Sequence, residues 1–429
     1  MSSHAVLNKA DMPAEDMVRE IAQAAHDASY QMGLADGATR DAALTAAAAV
    51  IRDSAAAIKA ENEKDMAFAA EKGLNDAMQD RLLLNDERIE GMAAGLEQVA
   101  SLPDPLHRNL GEWTRPNGLT ISRVSVPLGV IGIIYESRPN VTADAGGLCL
   151  KSGNAAILRG GSESLHSSGL IARCLQDGLR DAGLPGDAVQ AIPTRDRDAV
   201  GAMLRMAGLI DIIVPRGGKS LIERVMTESR VPVIAHLDGN CHVYIHEKAD
   251  VEMACDVVLN AKMRRTGVCG AAESLVIDRA AAASLLPAIV DKLHAAGCEI
   301  RGDETAQATD PRIVPASDAD WDTEYLDAIM SVKVVDGLPQ AIDHINTHGS
   351  HHTDAIVTGD AAAAATFTSR IDSSIVLHNA STQFADGGEF GMGAEIGIST
   401  GKLHARGPVG AEQLTSYKYI VRGAGQTRP

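Results

Sequence analysis

A single cysteine is the strongest candidate for covalent chemistry in this 429-residue chain. Cys269 stands beside Gly270 and follows two consecutive arginines, Arg264 and Arg265. Small neighbours leave a thiol accessible, and positive charge nearby favours the thiolate, so the segment is typical of a nucleophile. Cysteine is also among the most buried residue types, where it packs as a small hydrophobe. The local sequence alone leaves both interpretations open.

Two glycine-rich turns, each after a strand-like run, are candidates for ligand binding. Both offer main-chain N–H groups and a basic residue at the carboxyl end of a strand, where open α/β sheets bind ligands. The candidate contacts to an anionic, nucleotide-like ligand are Arg159, Gly161, Ser162, Gly217, Gly218 and Lys219. For either turn alone, an ordinary tight connection is the alternative. The second turn is no P-loop, because Ile213 occupies a position that needs glycine, and the sequence has no GxGxxG fingerprint after a strand.

Polar groups that could contact a substrate lie at two further turns. Asn140, behind the stiffening Pro139, offers a side-chain N–H to an oxyanion or, alternatively, an N-cap to the following helix. Residues 386–400 are too rich in glycine for a regular element. They are typical of a main chain that surrounds a ligand, with a long surface loop as the alternative. His404 and Arg406 add two cationic donors just beyond.

Composition restricts the class of protein. The 39 basic and 57 acidic residues give a net charge of −18, which argues against nucleic acid or anionic membrane as a partner. No signal-peptide pattern occurs, and no window approaches the roughly 18 apolar residues that span a bilayer, so we expect a soluble, cytoplasmic protein. The cysteines lack metal-ligand spacing, and His348, His351 and His352 lack acidic or thiol partners at such spacing. We therefore expect neither a disulfide framework nor a metal.

The elements that must position these groups follow an α/β pattern. Periodic apolar residues predict helices over about 14–100, and alternation around an Asn-Gly turn predicts a hairpin over 113–126. From residue 130 onward, apolar runs alternate with helical segments, as in buried parallel sheets. The predicted strands lie at 130–135, 155–158, 209–214, 233–235, 274–277, 331–335, 355–357, 374–377 and 416–421. They form two sets, which predicts two α/β domains with Cys269 near their junction.

Several runs together resemble the gamma-glutamyl phosphate reductase family, a branch of the aldehyde dehydrogenase superfamily. The matching runs are 126–140, 150–163, 241–244, the Cys269 segment, 335–354, 379–382 and 391–408. The chain departs from the family pattern where it has Thr266 and Gly267 in place of proline and serine. It departs again at Gly270, where the family more often has asparagine, so no side-chain contact is expected from that position.

The resemblance implies an aldehyde dehydrogenase-like α/β fold with three parts. These are a Rossmann-like NADP-binding domain, an α/β catalytic domain and a small β oligomerisation arm. Their expected bounds are 1–110 with 127–255, 256–398, and 111–126 with 399–429, respectively. The arm implies a homo-oligomer.

The resemblance also implies a reaction, the NADPH-dependent reduction of L-glutamate 5-phosphate to L-glutamate 5-semialdehyde and phosphate, the second step from glutamate to proline. Glutamate 5-kinase is then a partner to be tested. The implied roles are thioester formation by Cys269, oxyanion contact by Asn140, substrate binding by Arg264, Arg265, Asp238, His404 and Arg406, ribose binding by Glu324, and adenosine ribose phosphate binding by Arg159 with Ser162.

Two rival functions remain open. One is a hydrolytic NAD(P)-dependent aldehyde dehydrogenase, and the other is a non-catalytic nucleotide-binding oligomer on the same fold. Residues 236–240 read His-Leu-Asp-Gly-Asn where the superfamily's deacylating glutamate would lie. That glutamate is dispensable if phosphate rather than water exchanges with the thioester, so the segment favours the phosphate-dependent reaction.

Overall fold

The computed structural model describes residues 12–428, which divide into two compact units. Within the described residues, the first unit holds 12–235, 392–397 and 409–428, and the second holds 236–391 and 398–408. The resemblance implies a first domain that ends at residue 255. The structure begins the second unit earlier, because residues 241–245 pair within the sheet of that unit.

The described residues form fourteen α-helices and sixteen strands. The helices are α1 (Ala14–Leu34), α2 (Gly37–Asp53), α3 (Ala55–Glu71), α4 (Asp76–Leu82), α5 (Asp86–Ser101), α6 (Val141–Lys151), α7 (Leu165–Asp181), α8 (Asp198–Arg205), α9 (Lys219–Glu228), α10 (Val251–Met263), α11 (Arg279–Ala295), α12 (Glu304–Thr309), α13 (Leu338–His348) and α14 (Ala361–Arg370). The strands are β1 (Asn109–Thr114), β2 (Thr120–Pro127), β3 (Val130–Tyr135), β4 (Ala155–Arg159), β5 (Val189–Ala191), β6 (Ile212–Arg216), β7 (Cys241–Ile245), β8 (Ala272–Asp278), β9 (Glu299–Gly302), β10 (Val314–Pro315), β11 (Ile329–Val335), β12 (Thr353–Val357), β13 (Ile375–His378), β14 (Ile398–Ser399), β15 (Gly407–Pro408) and β16 (Thr415–Arg422).

The first unit contains a parallel sheet of four strands in the order β5-β4-β3-β6. Every residue of β3 and β4 is buried, which explains why these strands read as continuous apolar runs. The carboxyl ends of β3, β4 and β6 share one edge, so the turns after them lie together. The predicted strand at 233–235 is wrong, because Val233 makes only an isolated bridge to Ile213.

A separate antiparallel sheet of three strands, β1-β2-β16, lies in the same unit. The hairpin expected around Asn117-Gly118 is confirmed, with Thr114 paired to Thr120 across the turn. The C-terminal strand pairs with β2 over its whole length. Residues 398–408 belong to the second unit, where β14 pairs with β15, so only 409–428 of the range expected for the arm lies in the first unit with β2. Its role in oligomerisation stays a prediction.

The second unit is built on a seven-stranded parallel sheet in the order β10-β9-β11-β8-β7-β12-β13. In β8, Leu275 and Ile277 pack with α10 and α11, whereas Val276 packs on the opposite face with residues of α13 and α14. Helices therefore cover both faces of this sheet, as parallel sheets require. Among residues 12–428, no helix combines the length and apolarity needed to cross a bilayer.

Candidate active site

The amino ends of three adjacent strands in the second unit bring the candidate nucleophile and its neighbours together. Strand β7 lies between β8 and β12, with Cys241 opposite Ala272 and His242 opposite Asp354. Segment 236–240 precedes β7, Cys269 precedes β8 and His352 precedes β12. Because parallel strands begin at the same edge of a sheet, these three segments meet there.

Cys269 lies in a turn between α10 and β8 that is closed by the Ala271 N–H donating to the Val268 carbonyl at 2.9 Å. It is partly exposed, whereas the other five cysteines, all within the described residues, are buried. The Cys269 carbonyl accepts a bond from the Cys241 thiol at 3.1 Å. Burial raises the pKa of Cys241, which keeps that donor protonated. Exposure therefore separates Cys269 from the five structural thiols.

Gly239 packs directly on the main chain of the Cys269 turn. A Cβ at Gly239 would lie 2.2 Å from the Cys269 carbonyl oxygen and 2.6 Å from its Cα, so no other residue fits without movement of the main chain. The Gly239 N–H donates to Glu324 Oε1 at 2.8 Å. Glu324, predicted from the resemblance to hold a ribose, thus anchors the segment that supports Cys269. Asp238, predicted from the resemblance to bind substrate, is the partly exposed residue beside Gly239.

Two histidines that the sequence analysis did not assign to the site lie beside the thiol. One ligand atom from each of His236, Cys269 and His352 lies within 4.8 Å of the other two. His236 Nδ1 bonds to the Ile398 carbonyl at 2.8 Å, and the two imidazole rings meet edge to face with centroids 4.9 Å apart. Burial, together with the nearby His236, lowers the pKa of His352 to about 3, so its imidazole is neutral.

Arg264 and Arg265 are both exposed just before the nucleophile. Arg264 Nη1 donates to Gln383 Oε1 at 3.4 Å, while the Gln383 amide donates to the carbonyls of Arg265 and Ala261. Gln383 thereby ties the arginine segment to the turn at 382–384. The guanidinium groups remain at the surface, where an anionic substrate group can reach them.

The packing around position 270 explains why this chain has glycine there, where the family more often has asparagine. Gly270 is buried, and a Cβ there would lie 3.1 Å from the Thr382 carbonyl oxygen and 3.5 Å from Ala385 Cβ. A side chain as large as asparagine would therefore press on the main chain of Thr382. The small residue keeps the turn at its observed distance from the 382–385 segment.

The two cationic residues predicted beyond the glycine-rich stretch have different surroundings. Arg406 bonds through Nη1 to Asp372 Oδ1 and through Nη2 to the Asp372 carbonyl, both at 2.9 Å. Lys402 and Arg406 together lower the pKa of Asp372 to about 2. Arg406 thus ties the 398–408 loop to Asp372, and its contact with a substrate stays a prediction. His404 is exposed on the same loop.

The first unit has its own candidate site at the carboxyl ends of β3 and β4. Arg159, Gly161 and Ser162 line a cavity of about 910 Å³ there. The cavity wall also carries the basic side chains of Lys72, Arg197 and Arg224, which the sequence analysis did not select. A second cavity of about 270 Å³ adjoins Gly160 and α7. The larger cavity, with its basic wall, has a size that fits a dinucleotide carrying phosphates.

Arg159 is largely committed to the protein. Its Nη1 bonds to the Gly160 carbonyl, and its Nη2 bonds to the carbonyls of Arg195 and Asp196 at 3.3 Å. Burial lowers the pKa of Arg159. The exposed Arg197 on the same cavity wall is the better placed contact for a ligand phosphate.

The second glycine turn lies after β6. The Gly218 N–H donates to Glu136 Oε2 at 2.9 Å, and the same carboxylate would lie 2.5 Å from a Cβ at Gly217. Lys219 is the exposed first residue of α9. Ser220, next along the chain, lines the 910 Å³ cavity. Ser220, rather than Gly217 or Gly218, therefore brings this turn to the candidate cofactor site.

Asn140 lies before α6, but its side chain makes no capping bond to that helix. Its amide donates to Asp144 Oδ2 at 2.8 Å instead. Burial raises the pKa of Asp144 to about 6, opposed by the bond from Asn140 and by the charge of Arg216. The N-cap alternative is therefore excluded as a side-chain contact, and the oxyanion role of Asn140 stays a prediction.

Comparison with known proteins shows to which family this architecture belongs. A model of the aldehyde dehydrogenase family matches residues 2–311. A gamma-glutamyl phosphate reductase of Paramagnetospirillum magneticum is 63% identical over 96% of this chain and 98% of the relative. Another, of Rhodospirillum rubrum, is 61% identical over the full length of both chains.

Solved structures agree with the sequence matches. The crystal structure of gamma-glutamyl phosphate reductase from Thermotoga maritima matches with a TM-score of 0.94 and 42% identity, covering 96% of this chain and 100% of that one. An acetylating aldehyde dehydrogenase of Geobacillus thermoglucosidasius matches with a TM-score of 0.66 at 16% identity, covering 97% and 98% of the two chains. The second match concerns the fold alone.

Proposed function

The chain belongs to the gamma-glutamyl phosphate reductase branch of the aldehyde dehydrogenase family, and from this we propose that it reduces L-glutamate 5-phosphate to L-glutamate 5-semialdehyde and phosphate with NADPH, in the synthesis of proline from glutamate. The observation that carries the proposal is Cys269. It alone of the six cysteines is partly exposed, and it lies in a turn supported by Gly239 and Glu324.

The proposed chemistry uses the thiolate of Cys269 as nucleophile. Its sulfur forms a bond to the acyl carbon of the substrate, and the bond from that carbon to the phosphate oxygen breaks, which leaves a thioester and inorganic phosphate. When bound, NADPH would supply the hydride that adds to the thioester carbon. The carbon–sulfur bond then breaks, releasing the aldehyde and returning the electron pair to Cys269. The Cys269 N–H is our candidate for stabilising the developing oxyanion.

The surroundings of Cys269 suit phosphate as the leaving group. Arg264 and Arg265 are exposed beside it and can hold an anion, and either one suffices for the proposal. No glutamate stands in segment 236–240 to activate a water molecule. This favours a phosphate-dependent reductase over the hydrolytic aldehyde dehydrogenase that we keep as the alternative.

We assign the dinucleotide to the cavity at the carboxyl ends of β3 and β4. The fit rests on its volume of about 910 Å³ and on its basic wall, which includes Arg197 and Arg224. These guanidinium groups can neutralise the additional phosphate that distinguishes NADPH from NADH. A homo-oligomeric assembly, a cytoplasmic location and an association with glutamate 5-kinase remain predictions.

The test is the reverse reaction, oxidation of the semialdehyde with NADP⁺, measured with and without phosphate. We expect turnover to require phosphate or arsenate and Cys269→Ala to abolish it. The buried Cys298 provides a matched control, so Cys298→Ala should keep turnover. Equal rates with and without phosphate would support the hydrolytic alternative, and wild-type turnover by Cys269→Ala would overturn the mechanism. NADPH binding without any turnover in the native chain would instead support the non-catalytic oligomer.

A further inference from the structure

The cluster of His236, Cys269 and His352 has the composition of a metal site. One ligand atom from each residue lies within 4.8 Å of the other two, although the residues are far apart in sequence. Two imidazoles and one thiolate are a ligand set that Zn²⁺ prefers, and three protein ligands with one open position are common at accessible zinc sites. The proposed reaction assigns no role to either histidine.

His352 provides an independent indication of a ligand. It is fully buried, and among the described residues its Nε2 has no hydrogen-bond partner. Its Nδ1 lies 2.9 Å from the Thr353 hydroxyl, which orients the ring. An unsatisfied buried nitrogen costs free energy unless water or an ion meets it. A cation bound at Nε2 would satisfy this atom.

His236 is oriented as metal-binding histidines usually are. Its Nδ1 bonds to the Ile398 carbonyl at 2.8 Å, and metal-ligating imidazoles commonly donate their second ring nitrogen to a backbone carbonyl. The edge-to-face arrangement of the two rings, at 4.9 Å between centroids, brings them together without stacking. Both rings are thus oriented through contacts of Nδ1 within the second unit.

We infer that His236, Cys269 and His352 form a Zn²⁺ site that reversibly occupies the catalytic thiol. Tetrahedral zinc with bonds of about 2.0–2.3 Å separates its ligand atoms by about 3.4–3.8 Å. From its 4.8 Å limit, the longest separation in the cluster must therefore contract by about 1.4 Å at most. His236 and Cys269 are only partly buried and can move toward the fixed His352. Binding releases the thiol proton to solvent and changes no oxidation state.

The site shares Cys269 with the proposed function but needs no turnover, so the two ideas fail separately. Zinc bound at the thiolate would withhold its electron pair from a substrate carbonyl. A chelator that removes the metal breaks the zinc–sulfur coordination bond and returns the electron pair to the thiolate, since the sulfur is neither alkylated nor oxidised. Bound zinc is thus expected to protect the partly exposed thiol from alkylation and also to block its reaction with the substrate.

Metal binding is tested on the full-length protein after treatment with a chelator. Zn²⁺ is titrated in competition with a chromophoric zinc indicator, and Co²⁺ is added in a parallel sample. We expect one equivalent of Zn²⁺ per chain and a near-ultraviolet thiolate-to-cobalt charge-transfer band. Bound Zn²⁺ should slow alkylation of Cys269 by iodoacetamide at least tenfold, and a chelator should restore the rate.

Matched variants assign the ligands. Cys269→Ala should abolish the cobalt band, and His236→Gln should weaken Zn²⁺ binding at least tenfold. Controls are the buried Cys298→Ala and the exposed His378→Gln, which should bind as the native chain does. His236→Gln is preferred to a change at His352, because replacing that fully buried side chain destabilises the folded chain. Equal Zn²⁺ affinity in the native chain and in both Cys269→Ala and His236→Gln would overturn the inference, as would absence of the cobalt band.

Discussion

Replacing Gly239 by alanine tests how closely the nucleophile depends on its support. The new Cβ would lie 2.2 Å from the carbonyl oxygen of Cys269, 2.6 Å from its Cα and 2.7 Å from its carbonyl carbon. Carbon atoms in favourable contact are about 3.5–4.0 Å apart, so the two main-chain segments must separate by about 1 Å. Such overpacking costs about 1–3 kcal/mol of stability. A shift of that size at the reacting atom lowers the rate about 100-fold.

The assay compares kcat in the phosphate-dependent reverse reaction with the melting temperature of the same preparation. Gly267→Ala is the matched control, because a Cβ there meets nothing closer than the Leu326 carbonyl oxygen at 3.9 Å. We expect Gly239→Ala to lose about 100-fold in kcat, while Gly267→Ala stays within about twofold. Native kcat in a folded Gly239→Ala variant would refute the argument that this contact positions Cys269.

Three further predictions concern other parts of the chain. Lys262→Met leaves the buried Glu273 without its ion-pair partner, so it should lower the free energy of unfolding in urea by about 3–5 kcal/mol. The double variant Lys262→Met/Glu273→Leu should recover this stability. No loss of stability in the single variant would contradict the prediction. Asp144 has a folded-state pKa of about 6 against an ordinary 3.8, so it binds more protons when folded and its contribution to stability falls as pH rises between these values. Asp144→Asn should therefore reduce the pH dependence of the free energy of unfolding over that range. An unchanged pH profile in this variant would contradict the prediction. Arg197→Ala should raise the KM for NADPH about tenfold and leave the KM for NADH unchanged. Arg205→Ala is the control, because Arg205 lies outside the cavity. Equal effects on both cofactors would count against the contact of Arg197 with the additional phosphate of NADPH.

The sheet strands were predictable where burial makes them uniformly apolar. Strand β3 has the predicted bounds, 130–135, because all six of its residues are buried. Strand β7 was not predicted as a strand from its apolar pattern, because the buried His242 interrupts it. In the folded chain the His242 N–H and Nδ1 both contact Asp354 of the neighbouring strand, which offsets part of the cost of burying this histidine. Local sequence does not contain that long-range partner.

The candidate site was predictable only in part for the same reason. Cys269 was identified from its own segment, since Gly270 follows it and Arg264 and Arg265 lie five and four residues before it. His236 and His352 become its neighbours only through the strand order β8-β7-β12. A usable signal existed, since each of the three residues lies one to five positions before a strand. It could be used only once β7 was known to separate β8 from β12.

A burst experiment without phosphate separates formation of the Cys269 thioester from its cleavage. Purified enzyme is mixed with L-glutamate 5-semialdehyde and NADP⁺ in phosphate-free buffer, and NADPH formation is followed before and after phosphate is added. If Cys269 forms a thioester that phosphate must cleave, about one NADPH per active site forms rapidly, and sustained turnover begins only with phosphate. Cys269→Ala should give no burst. An unchanged steady rate without phosphate, or a full burst from Cys269→Ala, would contradict the account.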